Sequence, residues 1–381
     1  DHRDLHSFPT RRSSDLKITR WYPKQYGSLR YQIIVILIVI IIVISIRIKE
    51  IDHHRSVSFL YIKNDFCNII DIMVDVEKIY QMFILGTGNL DLPLEHGLGG
   101  VIFFTKDIES KSQFISLIDS IKNKAKLPLF LSIDQEGGRV ERTENIHERY
   151  LSPKFAFEKG EKFLFEQTQI ISNELNSYGI NMNFAPCIDV NSNPLNPIIG
   201  ERAFSNNVDD VCKGYDIVSN VYKKNNIIPV VKHFPGHGDA SKDSHKELPL
   251  ISLSMQEMEN IHIKPFKHAI DNGIDAIMVA HLHCTCFDKD ELPTSLSKNC
   301  INYLRNKLNY NGLIMSDDMI MNGVMKYGME DACIMGINAG LNMFIYRNSD
   351  DKTLNVIEHV IKQAEKNSDL KIGRASCRER V

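Results

Sequence analysis

The chain has 381 residues, 43% hydrophobic and 24% charged, with a formal net charge of −3. This composition excludes a disordered chain, and with no basic run interleaved with aromatics there is no footing for nucleic-acid binding. The length suits one large α/β barrel or two smaller domains.

Residues 1–16 (DHRDLHSFPTRRSSDL) read like a translated sequencing adapter, and residues 372–381 (IGRASCRERV) like part of the same oligonucleotide in reverse complement. Both are set aside from fold reasoning, and the natural termini stay open. Residues 17–72 form a separate N-terminal segment. Within it, Ile33 to Ile46 is apolar apart from Ser45, and Arg30 and Arg47 leave 16 residues between charges. A bilayer span needs about 20. One reading is a membrane anchor through residues 31–46, with basic residues on the cytoplasmic side. The preferred one is translated AT-rich DNA ahead of a start at Met73, which leaves a cytoplasmic protein with no membrane contact. Cys377 lies in the tail, and the other seven cysteines (67, 187, 212, 284, 286, 300 and 333) form no C-x-x-C pair. Reduced thiols are therefore expected.

The expected catalytic domain is residues 73–371. Eight apolar runs read as strands: Gln81–Gly86, Gly100–Phe104, Leu127–Ile133, Met182–Pro186, Ile227–Val231, Ala276–Ala280, Gly312–Met315 and Asn342–Tyr346. Helical periodicity separates them. Phe114, Leu117, Ile118 and Ile121 share a face. Val208, Val211, Tyr215, Val218 and Tyr222 form a second such face, and Leu354, Ile357, Val360, Ile361 and Ala364 a third. Continuous rather than alternating apolar runs suit a parallel sheet covered on both sides. Eight strand–helix repeats predict a (β/α)₈ TIM barrel. An open doubly wound sheet is the rival, but Gly86-Thr-Gly88 is a weak nucleotide loop.

In a barrel the strand C-termini converge on one face. Here they carry Asp134-Gln-Glu-Gly-Gly-Arg-Val-Glu-Arg142, Cys187-Ile-Asp189 with a loop to Arg202, Lys232-His-Phe-Pro-Gly-His-Gly-Asp-Ala-Ser-Lys-Asp-Ser-His245, His281-Leu-His283 and Ser316-Asp317-Asp318. The fifth-strand stretch packs seven titratable groups into fourteen residues, which is costly at a buried strand end without a task.

Two chemistries compete. A retaining glycosidase needs a carboxylate nucleophile and an acid that becomes a base. Asp317 or Asp318 can be the first. His245 can be the second, since imidazole exchanges protons near neutrality, with Asp243 orienting it. Arg142, Arg202 and Lys232 offer donors to sugar hydroxyls or an anionic group. The alternative is a metal-dependent hydrolase using His233, His237, His281, His283 and Asp317. Against it, the His-x-His pair follows the sixth strand instead of the first. Helix capping is the plain structural reading of the two aspartates, and turn formation that of Gly137, Gly138, Gly236 and Gly238.

Residues 76–366 resemble glycoside hydrolase family 3, in particular its bacterial β-N-acetylhexosaminidases. Four motifs carry the resemblance: Asp134 to Val140, Asn196 to Phe204, the KHFPGHG…DSH stretch to His245, and Ser316-Asp-Asp-Met319. The resemblance implies that Asp317 is the nucleophile, His245 the acid/base and Asp243 its partner. It implies that Asp134, Arg142, Arg202, Lys232 and His233 hold the sugar, with no metal and no organic cofactor. The implied substrate is a glycan or muropeptide bearing terminal β-linked N-acetylglucosamine. Phosphorolysis, another family 3 β-glycosidase activity and a catalytically dead sugar-binding barrel are the remaining variants.

Overall fold

The structure, a computed structural model, describes residues 76–242 and 247–367. Asp243, His245, the apolar segment 31–46 and both adapter-like ends lie outside those residues. Every described residue belongs to the compact unit Asp71–Val381.

Eight parallel strands close into a barrel in sequential order. They are β1 (Phe83–Leu85), β2 (Gly100–Phe103), β3 (Phe130–Ile133), β4 (Met182–Asn183), β5 (Ile228–Phe234), β6 (Ala276–Val279), β7 (Leu313–Asp318) and β8 (Met343–Tyr346). All eight expected strands are present, and the barrel, not the open sheet, is the architecture. Their apolar runs are continuous because both faces are buried. In β6, Ala276 and Met278 point into the barrel interior. Ile277 and Val279 point out to the helices. Inside, Ile84, Phe184, Met278, Leu313, Met315 and Ile345 join one packed cluster, so the barrel is a core and not a pore.

The predicted helical faces are the buried ones. The helix Lys111–Lys124 starts at Ser110, whose hydroxyl accepts from the Gln113 amide, and buries Phe114, Ile118 and Ile121. Asn207 caps Val208–Lys224 by accepting from the Asp209 and Asp210 amides. Acidic residues then fill its first turn and lysines its last, which suits the helix dipole. Asp350 caps Asp351–Lys366, which buries Val356, Ile357, Val360 and Ala364.

Strand ends depart from the expected bounds where chemistry meets packing. β4 ends at Asn183, three residues short of the expected Pro186. β5 and β7 run three residues further than their apolar character suggests, to Phe234 and Asp318. Lys232 and His233 are thus strand residues and not part of the loop. Each extension carries an extra residue against its neighbour. Val231 and Phe234 of β5 pair with Ile277 and Val279 of β6. Met315 and Asp318 of β7 pair with Met343 and Ile345 of β8. Such bulges re-aim side chains beside active sites. They fall at Lys232-His233 and at Ser316-Asp317.

Candidate active site

The C-terminal mouth of the barrel encloses a cavity of about 200 Å³. Asp134, Arg142, Arg202, Lys232, His233 and Asp317 all line it. These are the six candidate residues that fall within the described chain. Asp134 follows β3, Arg202 comes from the long loop after β4, Lys232 and His233 end β5, and Asp317 ends β7.

Lys232 is the electrostatic centre. Its ammonium lies 2.7 Å from Asp134 Oδ1 and 2.6 Å from Glu136 Oε1, with only 2% of the side chain exposed. Arg202 grips Glu136 with both arms, Nη2 at 2.8 Å and Nε at 2.9 Å. Burial alone would push the Glu136 and Asp134 carboxyls up. The cations reverse this and hold both below the ordinary range. The same carboxylates outweigh burial at Lys232 and raise its ammonium. A buried charge chain of this kind is stable only while every member is paired.

Arg202 Nη2 also lies 3.2 Å from His233 Nε2. A guanidinium can only donate, so Nε2 accepts and Nδ1 keeps the proton. Nδ1 then donates to Asp189 Oδ2 at 2.6 Å. Asp189 further accepts the His237 amide at 2.7 Å and the His233 amide at 3.2 Å. Asn196 donates to the His237 carbonyl at 2.8 Å. The loop after β4 therefore fixes the start of the loop after β5. Gly238 allows the close approach, because a Cβ there would lie 1.7 Å from the Val190 carbonyl oxygen. Burial, with His233 nearby, pulls the His237 imidazole down to about 4, so it is neutral at pH 7.

The two adjacent aspartates differ. Burial raises the Asp317 carboxyl, but neighbouring groups overcome it and leave it below the usual value. The nearby His233 and His281 rings, the Asp318 amide 2.7 Å from Asp317 Oδ1 and the Lys232 ammonium all favour the carboxylate. Burial pushes Asp318 up to about 6, against the Arg347 guanidinium. Asp318 accepts the Ile320 and Arg347 amides and the Arg347 Nε at 3.2 Å. It therefore ties β7 to the turn after β8. Asp317 is free of such structural duty and faces the cavity.

The donors of the metal alternative do not converge. His281 lies 2.7 Å from the Ser295 hydroxyl and 3.1 Å from the Asp318 carbonyl. His283 lies 3.2 Å from the Asp288 carbonyl, in a short two-stranded sheet away from the cavity lining. Among the described residues, the cluster with ligand-like spacing is Cys187, Asp189 and His233. Asp189 already accepts from the Cys187 thiol at 3.2 Å, and burial keeps that thiol protonated.

Sequence reasoning singled out neither Glu136 nor Asp189 for a role. Both were visible in principle. Glu136 is two residues past Asp134, the spacing that returns a side chain to the same side of an extended chain. The resemblance also passed over Arg347, whose turn carries no family motif.

A sequence profile described as "Glycosyl hydrolase family 3 N terminal domain" matches residues 76–376. "Beta-hexosaminidase A" of Pseudoalteromonas piscicida is 33% identical over 280 residues, covering 66% of this chain and 46% of that protein. This chain thus spans about half the length of that relative. A "Beta-hexosaminidase" of Methylobacillus flagellatus is 32% identical over 266 residues, 67% of this chain and 75% of the relative. The solved structure of a family 3 β-N-acetylglucosaminidase from Paenibacillus sp. superposes with a TM-score of 0.75 at 30% identity, over 79% of this chain and 60% of that one. With the profile matched along most of its length and the barrel and cavity in place, this chain belongs to glycosyl hydrolase family 3.

Proposed function

We propose that the chain is a retaining exo-β-N-acetylhexosaminidase that releases terminal, non-reducing N-acetylglucosamine, with peptidoglycan fragments as its source. The observation that carries this reading is the placement of Asp317. Its carboxyl is held below the usual range and opens into a small cavity beside the Lys232–Asp134–Glu136–Arg202 charge chain. An ionised carboxylate needs no proton removed before it attacks.

In the first step Asp317 bonds to the anomeric carbon and the bond from that carbon to the aglycone oxygen breaks. His245 gives its proton to the departing oxygen. In the second step water attacks the same carbon, His245 takes the water's proton and Asp317 leaves. Asp243 steadies the imidazole in both. Asp134, Arg142, Arg202, Lys232 and His233 hold the sugar. The scheme balances without a metal or an organic cofactor. We assign it to residues 73–371.

Asp317→Ala is expected to abolish nitrophenol release from the N-acetyl-β-glucosaminide, while the wild type cleaves that substrate and not the glucoside. Retained activity in the variant would remove Asp317 from the role. Free sugar formed without phosphate supports hydrolysis, and a strict phosphate requirement would reassign the reaction to phosphorolysis.

A further inference from the structure

The loop after β3 carries a largely buried polar cluster outside the sugar cavity: Glu141, Thr143, His147 and Tyr150, with Glu174 facing them from the helix Glu161–Tyr178. Glu141 and Thr143 are buried, whereas Arg142 between them lines the sugar cavity. Successive side chains thus face opposite ways, as they do along an extended chain. We propose that Glu141 and His147 are positioning residues for Arg142: by fixing the residue on each side of it, they aim its guanidinium at the sugar. The inference rests on the glycosidase reading above, in which Arg142 holds the sugar.

His147 touches both neighbours of Arg142. The Glu148 carbonyl, which can only accept, lies 2.5 Å from Nδ1, so Nδ1 carries a proton. In the neutral ring Nε2 then accepts from the Thr143 hydroxyl. On the other side, Glu141 Oε1 lies 3.5 Å from His147 Nδ1, and Glu141 Oε2 accepts the Tyr150 amide at 3.0 Å. The His147 and Tyr150 rings pack with their centres 4.6 Å apart. The Tyr150 hydroxyl donates to Glu174 Oε2 at 2.6 Å, and the same oxygen lies 3.6 Å from His147 Nε2. Gln167 of the same helix accepts the Leu151 amide and donates to the Leu151 carbonyl, both at 3.0 Å. The returning arm of the loop is therefore pinned to the helix, and Glu141 and His147 pin the Arg142 segment to that arm.

The Arg142 side chain has little else to set its place. Its guanidinium reaches Asp134 only at 3.5 Å and lies 5.5 Å from the centre of the Phe104 ring. Its Nε is buried without a hydrogen-bond partner among the described residues. The backbone is held more firmly. The Arg142 amide donates to Gln135 Oε1 at 2.9 Å. The Gln135 amide and carbonyl in turn pair with the Asn183 side chain, at 3.0 and 2.9 Å, at the end of β4. A long side chain with few contacts of its own points where its backbone aims it. Loosening that aim weakens the grip on the sugar and leaves the chemistry at Asp317 in place.

The test is steady-state kinetics on the nitrophenyl N-acetyl-β-glucosaminide. His147→Phe keeps a ring without either nitrogen, and should raise KM by about tenfold while kcat changes by less than about twofold. Glu141→Ala should act in the same way. His147→Gln returns an acceptor to the Thr143 hydroxyl and should recover most of the loss. A residue that only supported the fold would give the opposite split, because a partly misfolded enzyme loses kcat at unchanged KM. In an Arg142→Ala background, His147→Phe should raise KM no further, since both act through one guanidinium. A full additional effect in the double variant, or a fall in kcat at unchanged KM, would overturn the positioning role while leaving the glycosidase reading intact. Failure of the wild type to cleave the substrate would instead overturn that reading and the inference with it.

Discussion

Asp317 and Asp318 share a strand end, yet packing sends their carboxyls in opposite directions. An aspartate in the unfolded chain titrates near 3.8, whereas Asp318 in the fold keeps its proton up to about 6. Between those values the folded protein binds more protons, so this group's effect is a loss of stability as pH rises through that window. The acids held low, Asp134, Glu136, Asp189 and Asp317, act below that window and in the other sense. Their contribution is lost only as pH falls beneath their ordinary values. Urea denaturation of Asp318→Asn against wild type should show the variant gaining on the order of 2–3 kcal/mol relative to wild type between pH 4 and pH 7. Parallel stability curves would contradict the assignment. Lys232→Met removes the cation that buried Glu136 and half-buried Asp134 share, and should cost about 3–5 kcal/mol in the same assay. Residue spacing alone left Asp317 and Asp318 equivalent. Their difference arises from what β8 and its turn bring against Asp318, and no local pattern encodes that contact.

The strands and helices were legible because each buries a regular set of apolar side chains. Strand ends were not, because Lys232, His233, Asp317 and Asp318 look like loop residues until the barrel supplies partners. The extra residue in β5 and the one in β7 depend on register with the neighbouring strand, which no single segment specifies. Gly238 is legible only as a turn residue, yet its task is close packing against the loop after β4. Gly238→Ala should therefore separate the two loops and lower kcat/KM at least tenfold, while thermal unfolding moves only a few degrees. Unchanged kinetics would show that this contact does not position the site. Deeper in the barrel, Met315 packs in the interior layer, and Met315→Ala should cost about 2–5 kcal/mol in denaturant.

Across the whole molecule, eight strand–helix units hold charged groups from five strands and their loops around one small cavity. Composition and charge gave no sign of nucleic-acid binding and fitted a globular chain, but carried no hint of sugar chemistry. The family motifs supplied that, and the barrel explains why motifs scattered from Asp134 to Asp317 act together. Among the described residues no helix is long and apolar enough to cross a membrane, and residues 31–46 lie outside them. Because the proposed proton transfers involve only His245, Asp243 and water, activity should survive exhaustive chelation. Loss of activity restored by a divalent cation would revive the metal alternative. The central claim is that Asp317 forms a covalent bond to the sugar. Incubation with a fluorinated N-acetylglucosaminyl donor that slows the second step, followed by proteolysis and mass spectrometry, tests it directly. The account predicts one added sugar on the peptide bearing Asp317. A sugar carried by another residue, or inactivation without any covalent adduct, would contradict it.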